Sequence, residues 1–228
     1  MINYFQSLEW SMLGEMLIFV VSALLCITIH ELSHGFAAYK LGDNTAKEMG
    51  RLTLNPIKHI DPIGLIMIVF VGFGWAKPVP VNMLNFKKPK AGMALTALAG
   101  PVSNIILAVV VMFILGLFLR PLARADSGSV PDVIMTILAR TAYLSVMLAV
   151  FNMLPIPPLD GSKILFSLAS DETYFKLMQN ERFGMIIILI LILTDKYTEF
   201  FSKTVIRAAS ALMDIFYEIT IFAHNLVS

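Results

Sequence analysis

Residues 16–39 read MLIFVVSALLCITIHELSHGFAAY, a stretch that is apolar over the length a membrane-spanning helix needs. Past its middle lie three ionisable residues, His30, Glu31 and His34. Such residues are costly inside a membrane helix and indicate a functional site there. The two histidines are one helical turn apart, so both imidazoles project from one face and can bind one zinc ion. Glu31 lies beside them and can take a proton from a water molecule at the metal.

The composition of the chain excludes an ordinary soluble domain. Of its 228 residues, 57% are hydrophobic and 14% are charged, and the mean hydropathy is +0.78. Soluble domains carry about 25% charged residues, so most of this chain cannot face water and we predict an integral membrane protein. The net charge of +1, without a basic run that includes aromatic residues, predicts no nucleic-acid partner.

The single cysteine, Cys26, excludes an internal disulfide framework. It precedes His30 by four residues and shares its helical face. It is therefore either a small core residue, which we favour, or a neighbour of the metal. Residues 1–15 lack the features of a cleaved signal peptide, and we expect the first apolar segment to be retained as a membrane anchor.

Further apolar segments predict a multi-pass protein. Residues 91–119 and 130–154 have the length of membrane spans, and prolines end the second of these. Residues 183–194 are strongly apolar but short. Residues 204–226 are amphipathic and form either a last span or, as we favour, a helix that lies in the membrane interface.

The region between the first two spans is predicted to re-enter the membrane. Residues 63–75 are apolar but too short for a crossing, which favours a re-entrant segment. Residues 50–56 alternate in character and end on a turn signal, as a short strand would, and prolines keep 75–82 extended. We therefore predict an all-α multi-pass membrane protein with a three-helix core, a small re-entrant β-hairpin or loop region and additional C-terminal helices.

Basic residues predict the orientation of the chain. They are frequent between the first two spans, sparse between the second and third, and absent from the N-terminal tail. They include Lys40, Lys47, Arg51, Lys58, Lys87, Lys88 and Lys90 in the first loop, and Arg120 and Arg124 in the second. The positive-inside rule then places the N-terminus outside and the 40–90 region in the cytoplasm.

A catalytic zinc site usually has three protein ligands and a water, so a third ligand is needed. His59 and His224 are expected to be surface residues. Asp160 is the better candidate, because it follows a helix end broken by prolines, where irregular backbone is tolerated only when it is buried by protein or lines a cavity. Since the first and third spans run in the same direction, Asp160 and the histidine pair are expected at a similar depth, in the cytoplasmic half of the membrane.

Two motifs together resemble a known family. His30-Glu31-Leu32-Ser33-His34-Gly35, followed by Asn152-x-x-Pro155-x-Pro157-x-Leu159-Asp160-Gly161, resembles the site-2 protease family of intramembrane zinc metallopeptidases, peptidase family M50. Ala99-Gly100-Pro101-x-Ser103-Asn104 is similar to the helix that lies between these motifs in that family. The resemblance covers about 16–170, and it indicates a minimal member without a PDZ or CBS domain. We expect one membrane-embedded metalloprotease domain over 1–228, with a core at about 16–170 and C-terminal helices at about 171–228.

The resemblance implies a zinc metalloendopeptidase that hydrolyses peptide bonds of membrane-spanning substrates within or near the bilayer. His30, His34 and Asp160 would hold one Zn²⁺, and Glu31 would move the proton. Asn152 would donate a hydrogen bond to the substrate carbonyl or to the oxyanion. The expected roles are regulated intramembrane proteolysis or clearance of signal-peptide remnants, in a plasma or inner membrane. Expected partners are transmembrane protein or peptide substrates, the lipid bilayer and, as a further option, a second copy of the chain.

Some assignments and functions remain open at this level. Ser103 and Asn104 are interpreted as helix-packing residues rather than catalytic ones. Residues 52–54 and 79–81 are interpreted as segments that could capture an unwound substrate by strand addition. The main alternative function is a membrane zinc transporter, which would need further ligands along a continuous polar path. A di-iron oxygenase needs more than the four histidines present, and nothing in the sequence supports a proteolytically inactive scaffold.

Overall fold

A computed structural model describes residues 10–71, 74–119, 126, 128–179, 184 and 195–227. Helices are the regular secondary structure in these ranges, joined by turns, bends and extended segments, and the all-α class is confirmed for them. The helices are α1 (Trp10–Lys40), α2 (Thr45–Glu48), α3 (Pro62–Val71), α4 (Pro89–Leu117), α5 (Val130–Asn152), α6 (Asp160–Phe166), α7 (Asp171–Gln179) and α8 (Asp195–Leu226), with 3₁₀ helices at Pro56–His59 and Met83–Asn85. The predicted apolar segment 183–194 lies, apart from Gly184, outside the described residues.

Three helices of the described chain are long and apolar enough to cross a membrane, namely Leu13–Lys40 of α1, α4 and α5. The three predicted spans are thereby confirmed, with ends shifted by a few residues. Proline sets the start of α4, because Pro89 occupies a first-turn position where its missing N–H costs nothing. The chain leaves helical conformation after Asn152, shortly before the prolines of the next segment.

Side-chain contacts define the direction in which the spans pack. His34 meets Thr96 and His30 meets Asn104, so α1 and α4 are antiparallel. The hydroxyl of Ser22 donates to the Ile137 carbonyl, and the thiol of Cys26 contacts the Thr141 carbonyl, so α1 and α5 are parallel. This is the arrangement that three successive crossings require.

The core of the bundle lies where α4, α5 and α8 meet. Small residues dominate its centre, because Ala108, Ala142 and Ala209 are fully buried beside Val146 and Phe216. In a membrane, lipid tails are as apolar as the side chains, so helices associate chiefly through close packing. Alanines at the contact allow that close approach.

Helix α8 differs from the prediction of an interfacial helix. Its buried side chains include Ala209 and Phe216 in the core, and the Thr220 hydroxyl donates to the Met112 carbonyl of α4 at 3.2 Å. Further along, Gly116 of α4 lies against Thr220 and Ala223. Helix α8 therefore packs lengthwise on α4 and runs in the same direction, and its small and apolar residues contact other helices.

The region before and after α3 also differs from the prediction in part. Residues 50–56 do not form the predicted strand. Bends at residues 52–54 lead into the 3₁₀ helix Pro56–His59, whose first turn is capped by the Asn55 side chain. Alternation was outweighed here by Pro56, which cannot donate to a strand partner. The ends of the loop around α3 nevertheless meet, because Ile60 and Ala76 form an isolated antiparallel bridge. At about 1.5 Å per residue, α3 spans only about 15 Å, too short to cross a bilayer.

We expect the α4–α8 contact to be sensitive to a single methyl group. A Cβ at Gly116 would lie 2.7 Å from the Ala223 Cβ and closer still to the Thr220 carbonyl oxygen. Because one of these neighbours is backbone, Gly116→Ala should push the helices apart and lower the thermal unfolding temperature in detergent. Gly14→Ala is the matched control, since a Cβ there meets nothing within 4 Å and should gain up to about 1 kcal/mol of helix propensity. Equal unfolding temperatures for the two variants would contradict this packing.

Candidate metal centre

The structure brings together the side chains of His30, His34 and Asp160. Asp160 Oδ2 lies 3.1 Å from His30 Nε2 and 3.2 Å from His34 Nε2. All three side chains are buried, and their candidate ligand atoms lie within 4.8 Å of one another. Ligands about 2.0–2.1 Å from a tetrahedral zinc ion lie about 3.3 Å apart. The three donors therefore have the chemistry and the spacing of a zinc site.

The Asp160 carboxylate is positioned by the turn that precedes α6. Residues 153–159 form an irregular turn, and Asp160 is the first residue of α6. A Cβ at Gly161 would lie 2.6 Å from the Leu154 carbonyl oxygen, so only glycine lets the turn fold back against the start of this helix. The second carboxylate oxygen, Oδ1, lies 3.8 Å from the Lys163 ammonium. Lys163 is a nearby positive charge that sequence reasoning did not identify.

Helix α4 forms the wall behind both imidazoles. The Nδ1 atom of His34 lies 2.7 Å from the Thr96 carbonyl oxygen, and the Nδ1 atom of His30 lies 3.2 Å from the Asn104 side-chain amide. Between them, Gly100 lies directly against both rings, because a Cβ there would come within 2.6 Å of His30 Cε1. These three α4 residues are spaced by four and so share one helical face. Sequence reasoning missed the contacts of Thr96 and Gly100, because α4 is distant in sequence from both motifs.

Glu31 contacts a segment that is extended by its prolines, Trp75–Asn82, named here the proline-rich segment. The backbone N–H of Val79 donates to Glu31 Oε2 at 2.8 Å, and both residues are buried. The proline-rich segment therefore lies against the carboxylate that follows His30 in sequence. The sequence predicted its extended form, but not this contact.

Two charged side chains hold the proline-rich segment in place. Arg51 donates to the Lys77 carbonyl at 2.8 Å. The carboxylate of Asp43, which is fully buried, accepts hydrogen bonds from the Asn82 backbone N–H and from the Asn85 side-chain amide, each at 2.7 Å. It accepts two more from the backbone N–H and the hydroxyl of Thr45. Burial acts to raise the pKa of Asp43, but these hydrogen bonds favour the carboxylate and leave its pKa below the ordinary value.

The other candidate residues take different positions. Asn152 lies at the end of α5, where its side-chain amide donates to the Leu148 carbonyl of the same helix at 2.9 Å. Cys26 is buried, and its thiol donates to the Thr141 carbonyl, as expected for a core residue. The surface position predicted for His59 is wrong: His59 is 1% exposed and its Nε2 lies 2.8 Å from the Thr53 carbonyl oxygen. Its burial depends on how the loop folds back, which local sequence does not show.

A buried His-His-Asp cluster at membrane-spanning helices, with a glutamate directly after the first histidine, has the groups that a membrane zinc metalloprotease needs. The chain matches Peptidase family M50 over residues 18–194. It is 45% identical over 179 residues to "Putative zinc metalloprotease YwhC" of Bacillus subtilis, covering 77% of this chain and 80% of that protein.

Two more distant relatives are also named as zinc metalloproteases. "Putative zinc metalloprotease Rip2" of Mycolicibacterium smegmatis is 29% identical over 203 residues, covering 86% of this chain and 74% of the relative. The protein of the same name in Mycobacterium tuberculosis is 28% identical over 192 residues, covering 82% of this chain and 71% of that protein. No solved structure matches the chain. The chain belongs to peptidase family M50 and is a zinc metalloprotease.

We expect Gly100→Ala to disrupt the cluster. The added methyl group would overlap both imidazole rings and displace them from Asp160, so the purified variant should retain less zinc than the unmodified protein, as measured by metal analysis. Gly14→Ala, which adds a methyl group to open space, should retain zinc normally. Full zinc content in the Gly100 variant would show that α4 does not press on the rings.

We expect Asp43→Asn to loosen the proline-rich segment, because the ionised carboxylate accepts several hydrogen bonds, each worth about 1.5–3 kcal/mol when one partner is charged. The variant should unfold at a lower temperature at neutral pH. Because the pKa of Asp43 is lowered by folding, its ionised form stabilises the protein above the unfolded-state pKa, and this contribution is lost as the pH falls through the folded-state pKa. The difference in unfolding temperature between the two proteins should therefore shrink in acid. A difference that stays constant from pH 7 to acid would argue against an ionised Asp43.

Proposed function

We propose that this protein is an intramembrane endopeptidase that hydrolyses peptide bonds of membrane-spanning substrates within or near the bilayer. The observation that carries the proposal is that His30 and His34, inside a helix long and apolar enough to span a membrane, meet Asp160 at 3.1 and 3.2 Å. A buried ionisable cluster at that depth is expensive and is a functional site by default. Regulated proteolysis of membrane proteins and clearance of signal-peptide remnants are the physiological roles that fit such an activity.

In this proposal, His30 and His34 would hold the zinc ion through their Nε2 atoms, and Asp160 would hold it through a carboxylate oxygen. When bound, zinc supplies a Lewis acid that polarises the substrate carbonyl and makes a water nucleophilic near neutral pH. Glu31 accepts the proton of the attacking water and later delivers it to the leaving amine. A carboxylate has two oxygens, so the bond from Val79 to Oε2 leaves Oε1 for this proton transfer.

Two further roles belong to the same proposal. Asn152, the first residue of the second motif, donates its side-chain amide to the substrate carbonyl or the oxyanion in place of its bond to Leu148. The Val79–Val81 part of the proline-rich segment pairs with a substrate that has unwound near the site, since a helical substrate keeps its carbonyls in backbone hydrogen bonds. The contact between Val79 and Glu31 supports this position for the substrate.

We further propose that the protein lies in the cell membrane with its N-terminus outside and the metal site in the cytoplasmic half. The argument is the concentration of lysine and arginine in the 40–90 region and their absence from the N-terminal tail. The bonds of Arg51 and Asp43 to the proline-rich segment then lie on the cytoplasmic side of the site, where water is available.

Zinc transport is less well supported by the arrangement of ligands. A transport path needs successive ligand sets, but among the residues that the structure describes His30, His34 and Asp160 form the one group of three or more candidate ligands. The facing helix α4 contributes a backbone carbonyl, a glycine and an amide rather than further imidazoles or carboxylates.

One experiment separates these functions. Glu31→Gln removes the proton acceptor but leaves the three ligands, so the variant should retain zinc and lose cleavage of a model membrane-helix substrate by at least about a hundredfold. His34→Ala is the comparison variant and should lose both zinc and cleavage. Both variants are purified in detergent and assayed for zinc content and for substrate cleavage.

Two outcomes would contradict the proposal. Undiminished cleavage by Glu31→Gln would remove the glutamate from the reaction. Zinc flux into proteoliposomes by the unmodified protein, together with no cleavage of any membrane-helix substrate, would favour the transporter.

A further inference from the structure

The imidazole rings of His30 and His34 both lie between Asp160 and helix α4. Each Nε2 faces Asp160, and each Nδ1 faces helix α4. A neutral imidazole carries one proton, so a nitrogen that binds a metal ion must be the unprotonated one and the other must carry the proton. The groups on α4 therefore control which nitrogen is available to a metal.

For His34 the control is unambiguous. Its Nδ1 lies 2.7 Å from the Thr96 carbonyl oxygen, and a carbonyl can only accept a hydrogen bond. Nδ1 consequently carries a proton, and Nε2, which faces Asp160, is the nitrogen that a metal ion would bind. The backbone of α4 holds His34 in the metal-binding tautomer, and no side chain can be exchanged there to test this.

For His30 the partner is a side chain that can act in either direction. The Asn104 side-chain nitrogen lies 3.2 Å from His30 Nδ1, an arrangement that places the proton on Nε2. In this orientation Asn104 Oδ1 is buried and has no hydrogen-bond partner among the described residues. A half-turn of the amide exchanges its oxygen and nitrogen without moving the side chain. Oδ1 then accepts a hydrogen bond from Nδ1–H of His30 and gains the partner it lacks.

We propose that Asn104 is a positioning residue for the metal centre, whose Oδ1 accepts the Nδ1–H of His30 and keeps Nε2 free for the metal. This rests on the proposed assignment of His30 as a ligand. Asn104 is 0% exposed, and its backbone carbonyl accepts a bond from Ser145 of α5 at 2.8 Å, so the residue is held between two spans. An amide suits the position because it can accept this hydrogen bond without placing a charge in the membrane interior.

The alternative is that Asn104 only packs α1, α4 and α5 together. The two roles predict different responses, because packing depends on volume while positioning depends on an acceptor atom. Asn104→Leu keeps an apolar side chain of similar size but has no acceptor. Asn104→Asp restores the acceptor as a carboxylate, the partner that metal-binding histidines commonly have.

The experiment measures zinc affinity by competition with a chromophoric chelator in the purified, detergent-solubilised protein, and the visible absorption spectrum after replacement of zinc by Co²⁺. Asn104→Leu should bind zinc about 10–100-fold more weakly and show an altered Co²⁺ spectrum, whereas Asn104→Asp should retain affinity close to that of the unmodified protein. Thr141→Val is the matched control, because Thr141 is 1% exposed between the same helices and its hydroxyl has no partner among the described residues. It should leave both readouts unchanged.

Thermal unfolding of the metal-free variants separates positioning from folding. Positioning predicts that Asn104→Leu unfolds near the temperature of the unmodified apoprotein while its zinc affinity falls. Unchanged zinc affinity in Asn104→Leu, or equal weakening in the Leu and Asp variants, would overturn the inference. His30→Ala keeps the two proposals distinguishable. Loss of zinc in His30→Ala, together with unchanged affinity in Asn104→Leu, refutes the role of Asn104 alone. Retained zinc in His30→Ala refutes the ligand assignment on which that role rests.

Discussion

The structure depends on one electrostatic constraint, which is that two imidazoles and a carboxylate converge in the interior of a membrane bundle. Ionisable groups at that depth are costly unless each finds a partner. His30 and His34 share the Asp160 carboxylate, and their remaining nitrogens are turned towards α4. The path of the chain after α5 follows from the same constraint, since the turn and Gly161 bring Asp160 back to the histidine pair.

Helix α4 contributes to the site although it supplies none of the three candidate ligands. Thr96, Gly100 and Asn104 recur at the spacing of one helical turn, and provide in order a carbonyl acceptor, room for both rings and a side-chain amide. The same helix packs through Gly116 against α8 at its other end. Close contact between membrane helices depends on small residues. In α4, Gly116 allows contact with α8 and Gly100 leaves room for the imidazole rings.

Predictions that relied on local pattern alone were less accurate than those that relied on chemistry. The alternation of residues 50–56 predicted a strand, but Pro56 begins a 3₁₀ helix there. His59 was predicted to be a surface residue, yet it is buried. The amphipathic pattern of α8 predicted a helix in the interface, because a sequence does not show whether an apolar face meets lipid or another helix.

The sequence by itself determined the class of the molecule: a low share of charged residues requires a membrane fold, and the spacing of His30 and His34 puts two imidazoles on one face of a span. It also indicated Asp160, because a carboxylate after a broken membrane helix needs a polar partner. Only the tertiary structure decided that Thr96, Gly100 and Asn104 contact the imidazoles and that Val79 binds Glu31. The physical reason is that periodicity specifies the face of a helix, whereas the register between helices depends on packing contacts distant in sequence.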